Sequence, residues 1–196
     1  MPNRSLSLLL IALLSATPVA ASKTDYQVGD RLPQAATKAA PARGGVRTLT
    51  WDDLLPPDWD PSAAFKGLDL ASLDDADPRA MAALDAMRKA WDAAPVNRAL
   101  DGQRVRIPGF VVSLDGGPGE LREFLLVPYF GACIHVPPPP ANQIIHVMPN
   151  RPVKNVRTME AVWVSGTLGI GRSDTPMGRS GYRLQATEVT PYKAPR

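Results

Sequence analysis

Beyond Gln103 the chain alternates apolar and polar residues in short runs, and before it an apolar stripe recurs at helical spacing. Arg104-Val105-Arg106-Ile107 leads into Gly109 to Leu114 as a first strand, and Asp115-Gly116-Gly117 supplies the turn. Leu121 to Tyr129 predicts the return strand, with a nearly continuous apolar centre. Asn142 to Met148 reads as a third strand, with Ile144, His146 and Met148 on one face and Ile145 and Val147 on the other. Met159 to Ile170 predicts a fourth, in which Ala161, Trp163 and Ser165 alternate with Val162, Val164 and Gly166. Gly181 to Val189 predicts a fifth, with Tyr182, Leu184 and Ala186 opposite Arg183, Gln185 and Thr187.

Ahead of these strands, Asp77-Pro78 opens a helix that runs to about Ala93, because proline suits the first helical position. Met81, Leu84, Met87, Arg88 and Trp91 share one stripe, the pattern of a packing face that covers a sheet, and Pro95 ends the helix. Further upstream, Thr50 fits an N-cap with Asp53 as its capping-box partner, opening a short helix that Pro56-Pro57 stops. Trp51 and Trp59 are expected to dock on the main domain as apolar plugs. The expected fold is therefore mainly β with a helical N-terminal part: an OB-like five-stranded barrel or roll covered by one helix. A five-stranded sandwich is the alternative.

Composition changes this picture at the N-terminus. Arg4 precedes the apolar run Leu6 to Leu14, which is too short to span a bilayer, and Val19-Ala20-Ala21 has the small residues of a cleavage site. The expected organisation is a signal peptide over 1–21, a flexible leader over 22–47, a helical strap with the packing helix over 48–100, and the β domain over 101–196. Removing the signal leaves about 175 residues, enough for one domain. The whole-chain charge is only +3, with Lys and Arg scattered among Asp and Glu, which argues against a nucleic-acid partner. No later apolar run approaches the length of a membrane-spanning helix, so the expectation is a soluble periplasmic protein.

The candidate chemistry lies in one stretch, FLLVPYFGACIHVPPPPANQIIHV, from Phe124 to Val147. It holds the single cysteine, Cys133, and both histidines, His135 and His146. Pro137 to Pro140 separate them as a stiff spacer that cannot join a helix or a strand ladder. A lone thiol in an oxidising compartment has no internal disulfide partner, which marks Cys133 as buried, ligated or used chemically. On an extended strand Cys133 and His135 share a face, and His146 is expected to reach them from a neighbouring strand. Three such ligands suit zinc first and copper second. The same residues also suit a thiol–imidazole nucleophile or a buried core cysteine with satisfied histidines, and residue chemistry alone leaves these open. Asn142 and Gln143 either orient a histidine or bond backbone at the loop end, and Asp115 and Glu123 could each add an oxygen ligand. No phosphate loop, serine-triad spacing or paired catalytic carboxylates appear in the sequence, so no catalytic residue is assigned.

The segments TWDDLLPPDW, IPGFVVSLDG, FLLVPYFGACIHVPPPPANQ and VWVSGTLGIGRSD resemble the DUF3299 family of exported bacterial proteins, over essentially the whole mature chain. Cys133, His135, Asn142 and Gln143 match the family's core motif. Members occur near transport operons of the lipoprotein-release ABC type, some associated with zinc supply. The resemblance implies a periplasmic accessory role, with an ABC-type transporter or another envelope protein as partner. The leading expectation is metal binding through Cys133, His135 and His146. The alternatives are a protein-interaction module that docks through the proline-rich loop and a cysteine-dependent enzyme.

Overall fold

The computed structural model describes residues 25–33, 45–61, 63, 77–114 and 119–193. The 1–21 signal segment and the Asp115-Gly116-Gly117 turn lie outside the described residues.

The chain is mainly β-sheet with a single α-helix among the described residues. In chain order the elements are β1 (Arg47–Thr48), α1 (Pro78–Asp92), β2 (Arg104–Ser113), β3 (Glu120–Leu121), β4 (Phe124–Val127), β5 (Ile145–Pro149), β6 (Val153–Lys154), β7 (Ala161–Thr175) and β8 (Gly178–Pro191). The five predicted strands are all present, as β2, β4, β5, β7 and β8. They pair in the order β2-β4-β5-β8-β7, and β7 pairs back onto β2, closing a ring of five strands. Every pairing around the ring is antiparallel except β5 with β8. The short β1 adds in parallel to the edge of β2, and β3 pairs with β6 outside the ring.

Alternation along these strands sorts their side chains into two sets. Val105, Ile107, Val111, Phe124, Leu126, Ile145, Val147, Val162, Val164, Tyr182 and Leu184 form the main core. Phe110, Val112, Leu125 and Val127 sit at the intervening positions and build a second cluster with Leu32, Ala132 and Ile144. β4 is therefore buried on both sides, which is why its sequence reads as an unbroken apolar run rather than as an alternation. Gly166 sits where β7 meets β8 at a register shift; a Cβ there would lie 2.2 Å from the Gln185 carbonyl oxygen. Only glycine permits that approach.

The N-terminal strap docks as its sequence predicts. Thr50 and Asp53 make the reciprocal box: the Thr50 amide donates to Asp53 Oδ2 at 2.7 Å, and the Asp53 amide to Thr50 Oγ1 at 3.3 Å. The helix it opens is one 3₁₀ turn, Asp52–Leu54. Trp51 is only 1% exposed, and its indole N–H donates to the Pro108 carbonyl at 2.8 Å, deep in β2. Tyr182 closes the same end: its hydroxyl donates to the Leu54 carbonyl and accepts from the Asn97 amide, both at 2.6 Å. Trp59 is half-buried.

Two expectations are corrected here. Helix α1 starts and stops as predicted, with Asp77 capping the Arg79 amide and Pro78 in the first turn. Its packing face is the predicted one only in part: within the stripe Met87 is buried and Trp91 half-buried, but Met81 and Leu84 are 54% and 42% exposed, and Ala83 is buried as well. Ala83, Met87 and Trp91 recur every four residues as one narrow row, and Met81 and Leu84 are left to solvent. In the segment expected to be a leader, residues 25–33 pack onto the strands. Leu32 is buried, Tyr26 meets Phe110 edge to face at 5.0 Å, and Arg31 bridges to Tyr129. Backbone bonds also hold this strap: the Gly29 amide donates to the Phe130 carbonyl and the Phe130 amide to the Asp30 carbonyl.

Candidate functional site

The segment between β4 and β5 carries two of the three predicted ligands, Cys133 and His135, and it is a folded turn, not a strand. Gly131 has φ +84° and Cys133 φ +65°, and the amides of Ile134, His135 and Val136 all converge on the Gly131 carbonyl. The positive φ at Cys133 breaks the alternation that would have put Cys133 and His135 on one face. Cys133 packs against the second cluster, whereas His135 is exposed. Burial pushes the Cys133 thiol up to about 12, so the free side chain is a neutral thiol at physiological pH.

Behind the turn the loop is anchored at several points. The Gly131 amide donates to Met159 Sδ, and Ala132, Pro139, Ala141, Asn142 and Gln143 are buried. Asn142 Nδ2 donates to the Pro95 carbonyl at 2.9 Å, and Gln143 Nε2 to the Trp51 carbonyl at 2.9 Å. Neither amide orients a histidine; both tie the loop to the strap and to the segment after α1. Pro140 has φ −54° and ψ 150°, near polyproline II values. What remains outside is a ridge of Ile134, His135, Pro137 and Pro138, with Ile134 40% exposed.

His146 belongs to a different place. It sits on β5 beside Leu125 and Arg183, its neighbours across the pairings with β4 and β8. Its Nδ1 is 3.0 Å from Ser173 Oγ and its Nε2 3.0 Å from Glu123 Oε2. Arg183 Nε donates to the same Ser173 oxygen at 3.0 Å. These groups line a cleft of about 570 Å³ together with Leu114, Arg172, Asp174, Pro176 and Met177. Cys133, His135 and His146 are thus split between a loop and a cleft. Among the described residues no three His, Cys, Asp or Glu side chains gather as a metal-holding group. Glu123 meets His146 as a hydrogen-bond partner, whereas Asp115 lies outside the described residues. Sequence reading missed Ser173 and Arg183, since both join His146 only through the β5–β8 pairing and the register shift between Ile170 and Ser173.

No helix among the described residues is long and apolar enough to cross a membrane. Among curated proteins none matches the chain. A solved structure does: the crystal structure of a DUF3299 family protein from Pseudomonas aeruginosa PAO1 is similar at 38% identity, with a TM-score of 0.60. The similarity covers 78% of this chain and 100% of that one. The family model for DUF3299, described as a protein of unknown function, matches residues 51–191, from the Trp51 plug to the end of β8. With most of its length inside that match, this chain belongs to the DUF3299 family.

Proposed function

We propose that the protein is an exported accessory module of OB-like fold that docks on an envelope protein, such as a transport component, through the Ile134–Pro138 ridge. The observation that carries this reading is the ridge itself. An exposed isoleucine and two exposed prolines stand on a turn whose flanking residues are buried and hydrogen-bonded. A ridge held in place before contact loses little conformational entropy on binding. Prolines with an aliphatic neighbour fit an aromatic-lined groove, the mode by which polyproline segments are recognised. The strand order β2-β4-β5-β8-β7-β2, with β5 and β8 parallel, supports the OB-like description. Export to the periplasm rests on the N-terminal charge, apolar run and small-residue pattern.

Zinc binding is the second reading; it rests on the ligand chemistry of Cys133 and His135, which the turn would have to rearrange to aim at one ion. It requires further ligands from outside that turn.

A photo-crosslinking residue placed at position 134 in the native host tests the docking reading, with the exposed position 187 on β8 as control. The expected result is one adduct of defined mass from 134, absent from 187 and lost when Pro137 and Pro138 are both changed to glycine. Equal adducts from both positions, or none from 134, would overturn it. Stoichiometric zinc in the purified protein, lost on Cys133→Ser and on His135→Ala, would put the metal reading first.

A further inference from the structure

We infer that the His146 cleft is a serine-nucleophile site for small carboxylic esters, with Ser173 as nucleophile, His146 as general base and Glu123 as the group that orients the imidazole. The inference does not rest on the docking reading, because the cleft and the ridge share no residue.

Hydrogen-bond polarity carries the argument. The Glu123 carboxylate can only accept, so the neutral imidazole places its proton on Nε2, 3.0 Å from Glu123 Oε2. Nδ1 is then a lone pair, and the Ser173 hydroxyl, 3.0 Å away, donates into it. At the other end Arg183 Nε–H can only donate, and it points at Ser173 Oγ from 3.0 Å. One tautomer satisfies all three contacts. It leaves the serine oxygen with its proton already directed at a base and a guanidinium beside the oxygen. This is the nucleophile–base–orienter relation that acyl transfer needs, here with Nδ1 toward the serine and Nε2 toward the acid.

Burial and position fit the role. Ser173 is 9% exposed, yet it lines the cleft with His146, Glu123 and Arg183. The four side chains come from β5, β7, β8 and the residue before β4, so packing of the whole sheet fixes them. A volume of about 570 Å³ suits a small ligand. Leu114, Pro176 and Met177 supply apolar lining for an acyl chain, and the Arg183 guanidinium beside Ser173 Oγ supplies positive charge near the carbonyl oxygen.

The chemistry balances without a cofactor. Ser173 Oγ adds to the ester carbonyl carbon while its proton passes to His146 Nδ1. The carbonyl electron pair moves onto oxygen, next to the Arg183 guanidinium. The tetrahedral adduct collapses, the carbon–oxygen bond to the alcohol breaks, and the departing alkoxide takes the proton from His146. Water then repeats the sequence on the acyl-serine, releasing the carboxylic acid and restoring Ser173. The net change is ester plus water to acid plus alcohol.

The test is two measurements on purified protein: a fluorophosphonate probe followed by peptide mass spectrometry, and p-nitrophenyl butyrate hydrolysis. The expected results are one phosphonate adduct, on Ser173, and a kcat/KM that falls by about 10²–10⁴-fold in Ser173→Ala and in His146→Gln. Glu123→Gln should lower kcat with little change in KM, as a positioning residue does. Thr187→Ala, at an exposed position of β8 outside the cleft, should leave hydrolysis unchanged. The labelling uses the unaltered protein, so it decides the matter even if a cleft variant fails to fold. No adduct on Ser173, or a Ser173→Ala variant that hydrolyses the ester at the original rate, would overturn the inference.

Discussion

Replacing Trp51 with alanine removes the side chain through which the strap enters the core. The indole is 1% exposed and stands against Gly109, where a Cβ would come within 2.9 Å of its ring. Truncating a buried aromatic to alanine costs about 3–5 kcal/mol, the sum of lost transfer energy and the cavity left behind. The change also takes away the donor to the Pro108 carbonyl, inside a buried stretch of β2. An acceptor left unpaired there adds about 1–3 kcal/mol if water cannot reach it. The expected loss is about 4–8 kcal/mol, comparable to the whole stability of a marginal domain. Trp51→Phe separates the two parts: it keeps most of the ring volume and loses the hydrogen bond, for about 1–3 kcal/mol. Urea unfolding followed by far-ultraviolet circular dichroism reads these values, since fluorescence would be altered by losing the tryptophan itself. Trp59→Ala, at a half-buried position, should cost less than Trp51→Phe plus the cavity term. A Trp51→Ala variant within 1 kcal/mol of the parent, at unchanged m, would refute the view that the strap is part of the core.

Three further outcomes follow from burial. With its thiol pushed up to about 12 by burial, Cys133 should react with iodoacetamide at pH 8 at least about tenfold more slowly in the native protein than in urea, and equal rates would contradict the packing. Because that folded-state value lies above the ordinary thiol value of 9.0, the neutral thiol's contribution to stability is intact below about pH 9 and is lost as pH rises toward 12. On α1, Met81→Lys should change stability by no more than about 0.5 kcal/mol, whereas Met87→Lys should cost several times that, because only Met87 is buried; a thermal melt of both variants checks it.

The elements legible in the sequence were those set by local rules. Proline at the first turn of α1, the Thr50–Asp53 box and the alternation of β7 and β8 each depend on residues within a few positions. Their predicted faces largely hold: Val162, Val164, Tyr182, Leu184 and Ala186 are buried, and Arg183, Gln185 and Thr187 are exposed. The stripe on α1 was misread because periodicity gives the width of an apolar band and not the neighbour that covers it. Met87 is buried and Trp91 half-buried within that stripe, yet Met81 and Leu84 of the same stripe face solvent and Ala83 beside it is buried.

By itself the sequence determined the strands, the helix ends, the anchored strap and the family core around GACIHVPPPPANQ. Tertiary structure alone decided which chemistry comes together. The left-handed backbone at Cys133 folds that thiol inward and leaves His135 in solvent, undoing a spacing that would share a face on any extended strand. The parallel pairing of β5 with β8 sets Arg183 beside His146, 37 positions away in the chain. The shift in β7 then brings Ser173 onto the same imidazole. Such contacts depend on ring closure and register between distant strands, and local propensity carries no record of either.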